Sequence, residues 1–245
     1  MFYDPSNYDA IQASVLASII SAFGLISMAV FGDMGRKYSP HISAFAVGVL
    51  LATTIFHLLP EGYEATPRIW QWVALGFGVF LIFGLLLRVL SSGQSLNTDL
   101  AFASSSLIAL GTHSFMDGAI YAMAFQGETF AGWTTVIGLL VHQFPEGVII
   151  YYLLRESQLR QVTALIAAFV AACVTTILGT ILSLNFLNVA EASLPMMLGL
   201  TAGAFIYIII FHLAPHAAQT PNHRGYMAAS IGVVIGMIAI VIEHI

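Results

Sequence analysis

Eight long apolar stretches separated by short polar breaks constrain this chain more than any other feature. They cover residues 11–31, 41–59, 69–90, 100–125, 133–154, 162–186, 194–214 and 226–242. Each is close to the roughly 20 residues an α-helix needs to cross a hydrocarbon core. Lipid offers backbone polar groups no water, so only helices or closed barrels can span it, and runs of this length select helices. The expectation is an all-α polytopic membrane protein with eight transmembrane helices. Breaks such as Gly32-Asp-Met-Gly-Arg-Lys-Tyr-Ser-Pro40 and Ser91-Ser-Gly-Gln-Ser-Leu-Asn97 are too short to part the chain, so residues 1–245 read as a single transmembrane domain.

Composition narrows the function classes. The chain is 59% hydrophobic and 8% charged, where a soluble domain carries about 25% charged residues. Its seven Lys and Arg leave no basic surface for nucleic acid. The single cysteine, Cys173, excludes an internal disulfide and a Cys-rich zinc site, and lies in an apolar run as a space-filling residue. The N-terminus lacks the basic segment of a cleaved signal peptide, so Met1 reads as the mature start.

Charge also sorts the loops. One side of the membrane would carry the N-terminus, the C-terminus and every second loop, with Arg68 as its one basic residue. The other side would hold Arg36, Lys37, Arg88, Arg155, Arg160 and Arg224. Basic loops stay in the cytoplasm, which places both termini outside it. Short loops and no targeting segment point to a plasma (inner) membrane.

Two internal echoes lie within the apolar runs. In spans 4 and 5, His113-Ser-Phe-Met-Asp117-Gly118 matches His142-Gln-Phe-Pro-Glu146-Gly147. In spans 2 and 7, Phe56-His57-Leu-Leu-Pro60-Glu61 matches Phe211-His212-Leu-Ala-Pro215-His216. Both pairs are an odd number of spans apart and so run in opposite directions. That is the mark of an inverted-topology repeat, a secondary-transporter pattern with its site near the midplane.

The first echo carries the chemistry. Residues four apart share one helix face, so His113 with Asp117 and His142 with Glu146 each form a two-ligand face near mid-span. Asp117 and Glu146 are the two acids set deep in apolar runs, and ionisable groups at that depth are functional by default. Two imidazoles and two carboxylates around one point suit first-row divalent ions. A dication there would be neutralised by the two acids. Pro145 removes one backbone hydrogen bond and should bend its helix, while Gly118 and Gly147 permit close helix approach. His57, Glu61, His212 and His216 sit nearer the span ends and read as access and release relays on either side of the centre. His41, His223, Glu243 and His244 lie at boundaries, where solvation is expected.

In these motifs the chain resembles the ZIP (Zrt/Irt-like) family of divalent metal transporters over its whole length. The family pattern is His-Asn-x-x-Asp/Glu-Gly in span 4 and His/Glu-x-x-Pro-Glu-Gly in span 5. The span-2 stretch His57-Leu-Leu-Pro60-Glu61 is similar to the family's His-x-x-Pro-Glu/Asp. The resemblance implies that His113, Asp117, His142 and Glu146 form the transport site. It also implies import of Zn²⁺ first, with Fe²⁺, Mn²⁺, Co²⁺ and Cd²⁺ as further substrates, and no cofactor. It implies elevator-type displacement of spans 1, 4, 5 and 6 against the rest, and a homodimer in the bilayer. Two departures stand out: Ser114 replaces the usual Asn, and Gln143 replaces an acid common at that place. Both positions help form a second metal site in some members, and neutral residues there favour one metal. Residues 91–99 contain no histidine, unlike the family's His-rich loop.

The residues admit two other readings. An intramembrane zinc-dependent lipid amide hydrolase would place Ser114 and the ligands around an activated water, but needs an open coordination position. A coupled carrier of an organic solute would need a larger polar cavity. Neither assigns a role to the inverted echoes.

Overall fold

The structure, a computed structural model, describes residues 5–31, 38–90, 95–126, 129–220 and 222–243. Among these there are eight helices and no strand. Helix α1 is Pro5–Val30. Helix α2 covers residues 39–65, with a π turn at Thr54–Leu58 between Ser39–Thr53 and Leu59–Ala65. Helices α3, α4 and α5 are Ile69–Leu90, Ser95–Ala124 and Thr129–Glu156. Helix α6 is Gln161–Asn185 with a π turn at Val170–Val174, and α7 is Leu187–Ala217 with one at Ile209–Leu213. Helix α8 is Asn222–Glu243.

Five of the described helical stretches are long and apolar enough to cross a membrane, in α1, α2, α3, α6 and α7.

Most helices outrun the apolar segments that predict them, α2 and α7 by the most. The apolar run 41–59 becomes a helix ending at Ala65, and 194–214 becomes Leu187–Ala217. Glu61, Glu64 and Glu191 interrupt the hydrophobic pattern but are good helix formers, so the backbone continues. Pro145 lies inside an uninterrupted α5.

Glycines set the helix pairing. Without a side chain, glycine lets two backbones meet where a Cβ would collide with the facing carbonyl. Gly24 of α1 faces the Phe144 carbonyl of α5, and Gly147 faces the Ser21 carbonyl in return. The same reciprocity joins α4 to α6 (Gly118 at Thr176, Gly179 at Phe115) and α2 to α8 (Gly48 at Ala229, Gly232 at Phe45). It also joins α3 to α7 (Gly76 at Leu200, Gly203 at Val73). Partners lie an even number of spans apart, as parallel neighbours in an alternating chain must. Gly111 facing Ala171 and Gly118 facing Thr176 show that parallel register directly.

These contacts divide the molecule. Gly132 against Phe125 ties α5 to α4, and Gly62 against Leu198 ties α2 to α7. Among the described residues, every interhelical glycine contact falls within α1, α4, α5 and α6 or within α2, α3, α7 and α8. None joins the two sets.

The echo between spans 2 and 7 extends to the backbone. Thr54-Ile-Phe-His57-Leu58 and Ile209-Ile-Phe-His212-Leu213 each form a π turn, closed by Leu59 N–H to the Thr54 carbonyl and Ala214 N–H to the Ile209 carbonyl. Each is followed two residues on by a proline, Pro60 or Pro215. Just ahead of each proline the helix takes up one surplus residue.

Candidate metal centre

Helix α4 supplies His113 and Asp117, and the crossing helix α5 supplies His142 and Glu146. Each offers one ligand atom, and these atoms all lie within 4.8 Å of one another. His142 Nε2 is 3.1 Å from Asp117 Oδ2, and His113 Nε2 is 3.8 Å from the same oxygen. The two imidazole centroids are 5.7 Å apart. Phe205 of α7 packs its edge on His113 at 5.1 Å and closes one side with an apolar wall. Asp117 is fully buried, His113 and Glu146 nearly so, and His142 retains 11% of its exposure.

Polar satisfaction in this cluster is uneven. His113 Nδ1, Asp117 Oδ1 and Glu146 Oε2 are buried with no hydrogen-bond partner. Buried polar atoms are almost always paired, and each left bare costs about 1–3 kcal/mol. One nitrogen and two carboxylate oxygens in this state, all in one cluster, suit a cation that accepts their lone pairs. The donor set is mixed N/O and the acids supply two negative charges, which fits a first-row dication.

The other carboxylate oxygens are engaged by protein. Ser114 Oγ donates to Glu146 Oε1. The Gln143 amide donates to Asp117 Oδ2 at 2.9 Å and to Tyr121 OH at 3.2 Å. Gln143 Oε1 in turn accepts from Ser21 Oγ of α1 at 2.8 Å. The sequence singles out Ser114 and Gln143 but passes over Ser21 and Tyr121, which look like ordinary helix residues until the fold puts them beside the amide.

The flanking residues divide differently. His57 is expected near a span end, yet it is 2% exposed and its ring lies 6.3 Å from that of His142. The correction follows from α2 running on to Ala65, which leaves His57 two turns inside the helix. Its Nδ1 is 3.1 Å from Glu61 Oε1. His212 packs edge-on against Tyr207 at 5.2 Å. His216 Nε2 pairs with Glu156 Oε2 of α5 at 2.9 Å. Sequence reasoning missed Glu156, although the echo held a signal: where one copy has Glu61 the other has His216, so its carboxylate must come from elsewhere. His41, expected in solvent, is half-buried against Tyr38, with ring centroids 5.9 Å apart and a buried Nδ1.

The two helix sets also meet through polar contacts. Ser43 of α2 and Tyr152 of α5 share a buried hydrogen bond of 2.6 Å, one helical turn from Glu156.

Comparison with known proteins gives a consistent picture. A family profile described as ZIP zinc transporter matches residues 90–243, which contain all four clustered ligands. Zinc transporter zipt-7.1 of Caenorhabditis briggsae is 29% identical over 51% of this chain and 32% of its own length. IAA-alanine resistance protein 1 of Arabidopsis thaliana is 31% identical over 48% of this chain and 25% of its own. Zinc transporter ZIP13 of Pongo abelii is 23% identical over 75% of this chain and 60% of its own. The chain thus spans between a quarter and three-fifths of the relatives it matches. With the family profile covering more than half of its 245 residues, including both paired His/carboxylate motifs, the chain belongs to the ZIP zinc transporter family.

Proposed function

We propose that this protein carries a divalent transition-metal ion across a membrane, Zn²⁺ first, through His113, Asp117, His142 and Glu146. The observation that carries the reading is the cluster of four donors from two helices, three of whose buried atoms have no hydrogen-bond partner. Asp117 and Glu146 cancel the charge of a dication, which removes most of the cost of bringing it to low dielectric. His113 and His142 favour Zn²⁺, Fe²⁺, Mn²⁺, Co²⁺ and Cd²⁺ over Ca²⁺ and Mg²⁺, whose preferred shells are all oxygen.

The motion is of the elevator type. The four ligands ride on α4 and α5, knitted by glycine contacts to α1 and α6, while α2, α3, α7 and α8 are knitted among themselves. Two internally locked sets with no glycine contact between them suit sliding as bodies. Transport runs toward the cytoplasm from a plasma membrane in which both termini lie outside, and the unit is a homodimer of single-domain protomers. His57 with Glu61, and His216 with His212 and Glu156, pass the ion on either side of the centre.

Uptake of Zn²⁺ into proteoliposomes tests the reading. His113→Ala and Glu146→Ala should abolish uptake, and wild-type rates in either variant would make the site assignment wrong.

A further inference from the structure

The four ligands of the cluster are not held alike. Asp117 and His142 share a hydrogen bond of 3.1 Å, Asp117 also accepts from the Gln143 amide, and Glu146 accepts from the Ser114 hydroxyl. His113 has no such anchor. Its Nε2 stands 3.8 Å from Asp117 Oδ2, beyond hydrogen-bond distance, and its buried Nδ1 has no partner among the described residues. Two rings border it: His142 at 5.7 Å, itself a ligand, and Phe205 at a centroid distance of 5.1 Å and an interplanar angle of 63°. A histidine that ligates a metal is ordinarily oriented by a hydrogen bond at its other ring nitrogen. We infer that Phe205 is a positioning residue that does this by packing, holding the His113 imidazole toward the ion. This inference rests on the transport-site reading.

Phe205 is suited to the task. It is buried, and its distance and tilt give the edge-to-face contact that aromatic pairs prefer. It lies on α7, where Gly203 meets the Val73 carbonyl of α3, so its backbone is fixed to the helix set that does not carry the ligands. The contact therefore crosses between the sets. One turn away on the same face of α7 lie Thr201 and Ala202 on one side and Ile208 and Ile209 on the other, all buried and none with a ring. A displacement of α4 along α7 by one turn, about 5.4 Å, exchanges Phe205 for one of these and leaves His113 without its positioner. Ion affinity is thus highest in the register seen here and falls as the sets slide, which favours release at the end of the movement.

The test uses the purified full chain. Zn²⁺ affinity is read by calorimetric titration in detergent, the ligand shell by zinc-edge X-ray absorption, and uptake kinetics in proteoliposomes. Phe205→Met removes the ring but keeps the volume, the kind of swap a core tolerates best; Phe205→Tyr keeps the ring. In Phe205→Met the Zn²⁺ affinity should fall about 10-fold, within the range for losing a partner that orients a ligand. The ordered imidazoles round the ion should drop from two to one. KM should rise by a similar factor with the maximal rate within about twofold of wild type, the pattern of lost ion binding. A merely structural loss would lower the maximal rate and leave two imidazoles in place. Phe205→Tyr should restore both affinity and imidazole count. Affinity within about twofold of wild type in Phe205→Met, two ordered imidazoles in that variant, or a Phe205→Tyr protein as weak as Phe205→Met would overturn the inference. Wild-type protein that binds no Zn²⁺ would instead overturn the transport-site reading beneath it, so the two failures are distinguishable.

Discussion

The two helix sets are assembled by one device and filled with opposite chemistry. Both are joined by reciprocal glycines. The set α1, α4, α5 and α6 buries Ser14, Ser18, Ser21, His113, Ser114, Asp117, Gln143, Glu146, Thr176 and Thr180. The set α2, α3, α7 and α8 buries chiefly apolar residues such as Val49, Leu50, Leu58, Ile69, Leu198, Phe205 and Ile208, with Ser43, Thr53, Thr54, His57 and Thr201 as the buried polar residues among those described in its helices. One set is a polar interior held by its own hydrogen bonds, such as Thr180 Oγ1 to the Gly118 carbonyl at 2.9 Å and Ser18 Oγ to the Cys173 carbonyl at 3.0 Å. The other is an apolar wall against which that interior can be presented. A polar interior held largely by its own hydrogen bonds suits displacement as a unit, with the Ser43–Tyr152 hydrogen bond and the His216–Glu156 pair as contacts to the wall that would have to break.

The contrast is broken most sharply at the ligands. Asp117→Ala should reduce Zn²⁺ uptake by at least about 100-fold, since even orienting partners of a ligand are worth 10–100-fold. The proteoliposome rate checks it, and a loss no greater than that of a wall residue would erase the distinction between the sets.

Acidity should act through the same set. A protonated imidazole has no lone pair for a metal, and an unperturbed imidazole titrates near 6.5. Lowering the pH from 8 to 5 should therefore cut uptake about 30-fold if one such group governs the rate. A flat profile over that range would remove histidine from the rate-determining shell.

His57 sharpens the comparison from the other side. It touches the ring of His142 but belongs to the wall, so His57→Ala should change uptake by no more than about tenfold. A collapse as deep as that of Asp117→Ala would make the wall part of the binding shell.

The glycines should show equivalence rather than contrast. Gly118→Val and Gly203→Val each drive a side chain into a facing backbone, one in each set, and overpacking costs about 1–3 kcal/mol. Gly78, with nothing within 4 Å of an added Cβ, is the control. Thermal unfolding in detergent should give two similar losses and, for Gly78→Ala, no loss. The smallest effect belongs to Glu156→Gln. Its pair with His216 is partly exposed, and such pairs are worth about 0.2–1 kcal/mol, so uptake should shift by less than about fivefold.

Much of this was legible in the residues, for identifiable reasons. Helical character follows from apolar runs of spanning length, and the ligand faces from a His and an acid four apart where no other acid lies. What stayed hidden depends on tertiary neighbours. Ser21 and Tyr121 acquire meaning only when α1 and α4 flank the Gln143 amide. Glu156 follows Arg155 at a helix end and reads as solvated, because its partner lies 60 positions further along the chain. The ends of α2 and α7 lie beyond their apolar runs because hydropathy reports where lipid-compatible surface stops, whereas the helix stops where its backbone hydrogen bonds do.

The paired π turns carry a consequence for how these helices tolerate length changes. Each holds one residue more than a regular turn, and each residue of an α-helix advances the direction of its side chains by about 100°. Deleting a single position between Thr54 and Leu58 would rewind that turn to ordinary pitch and leave Glu61 close to its present bearing, because the surplus residue is absorbed within the turn. Deleting one between Ile209 and Leu213 would likewise leave His216 in place. At these two places alone among the described parts of α2 and α7, a residue can be lost without turning a chemically active side chain about the helix axis.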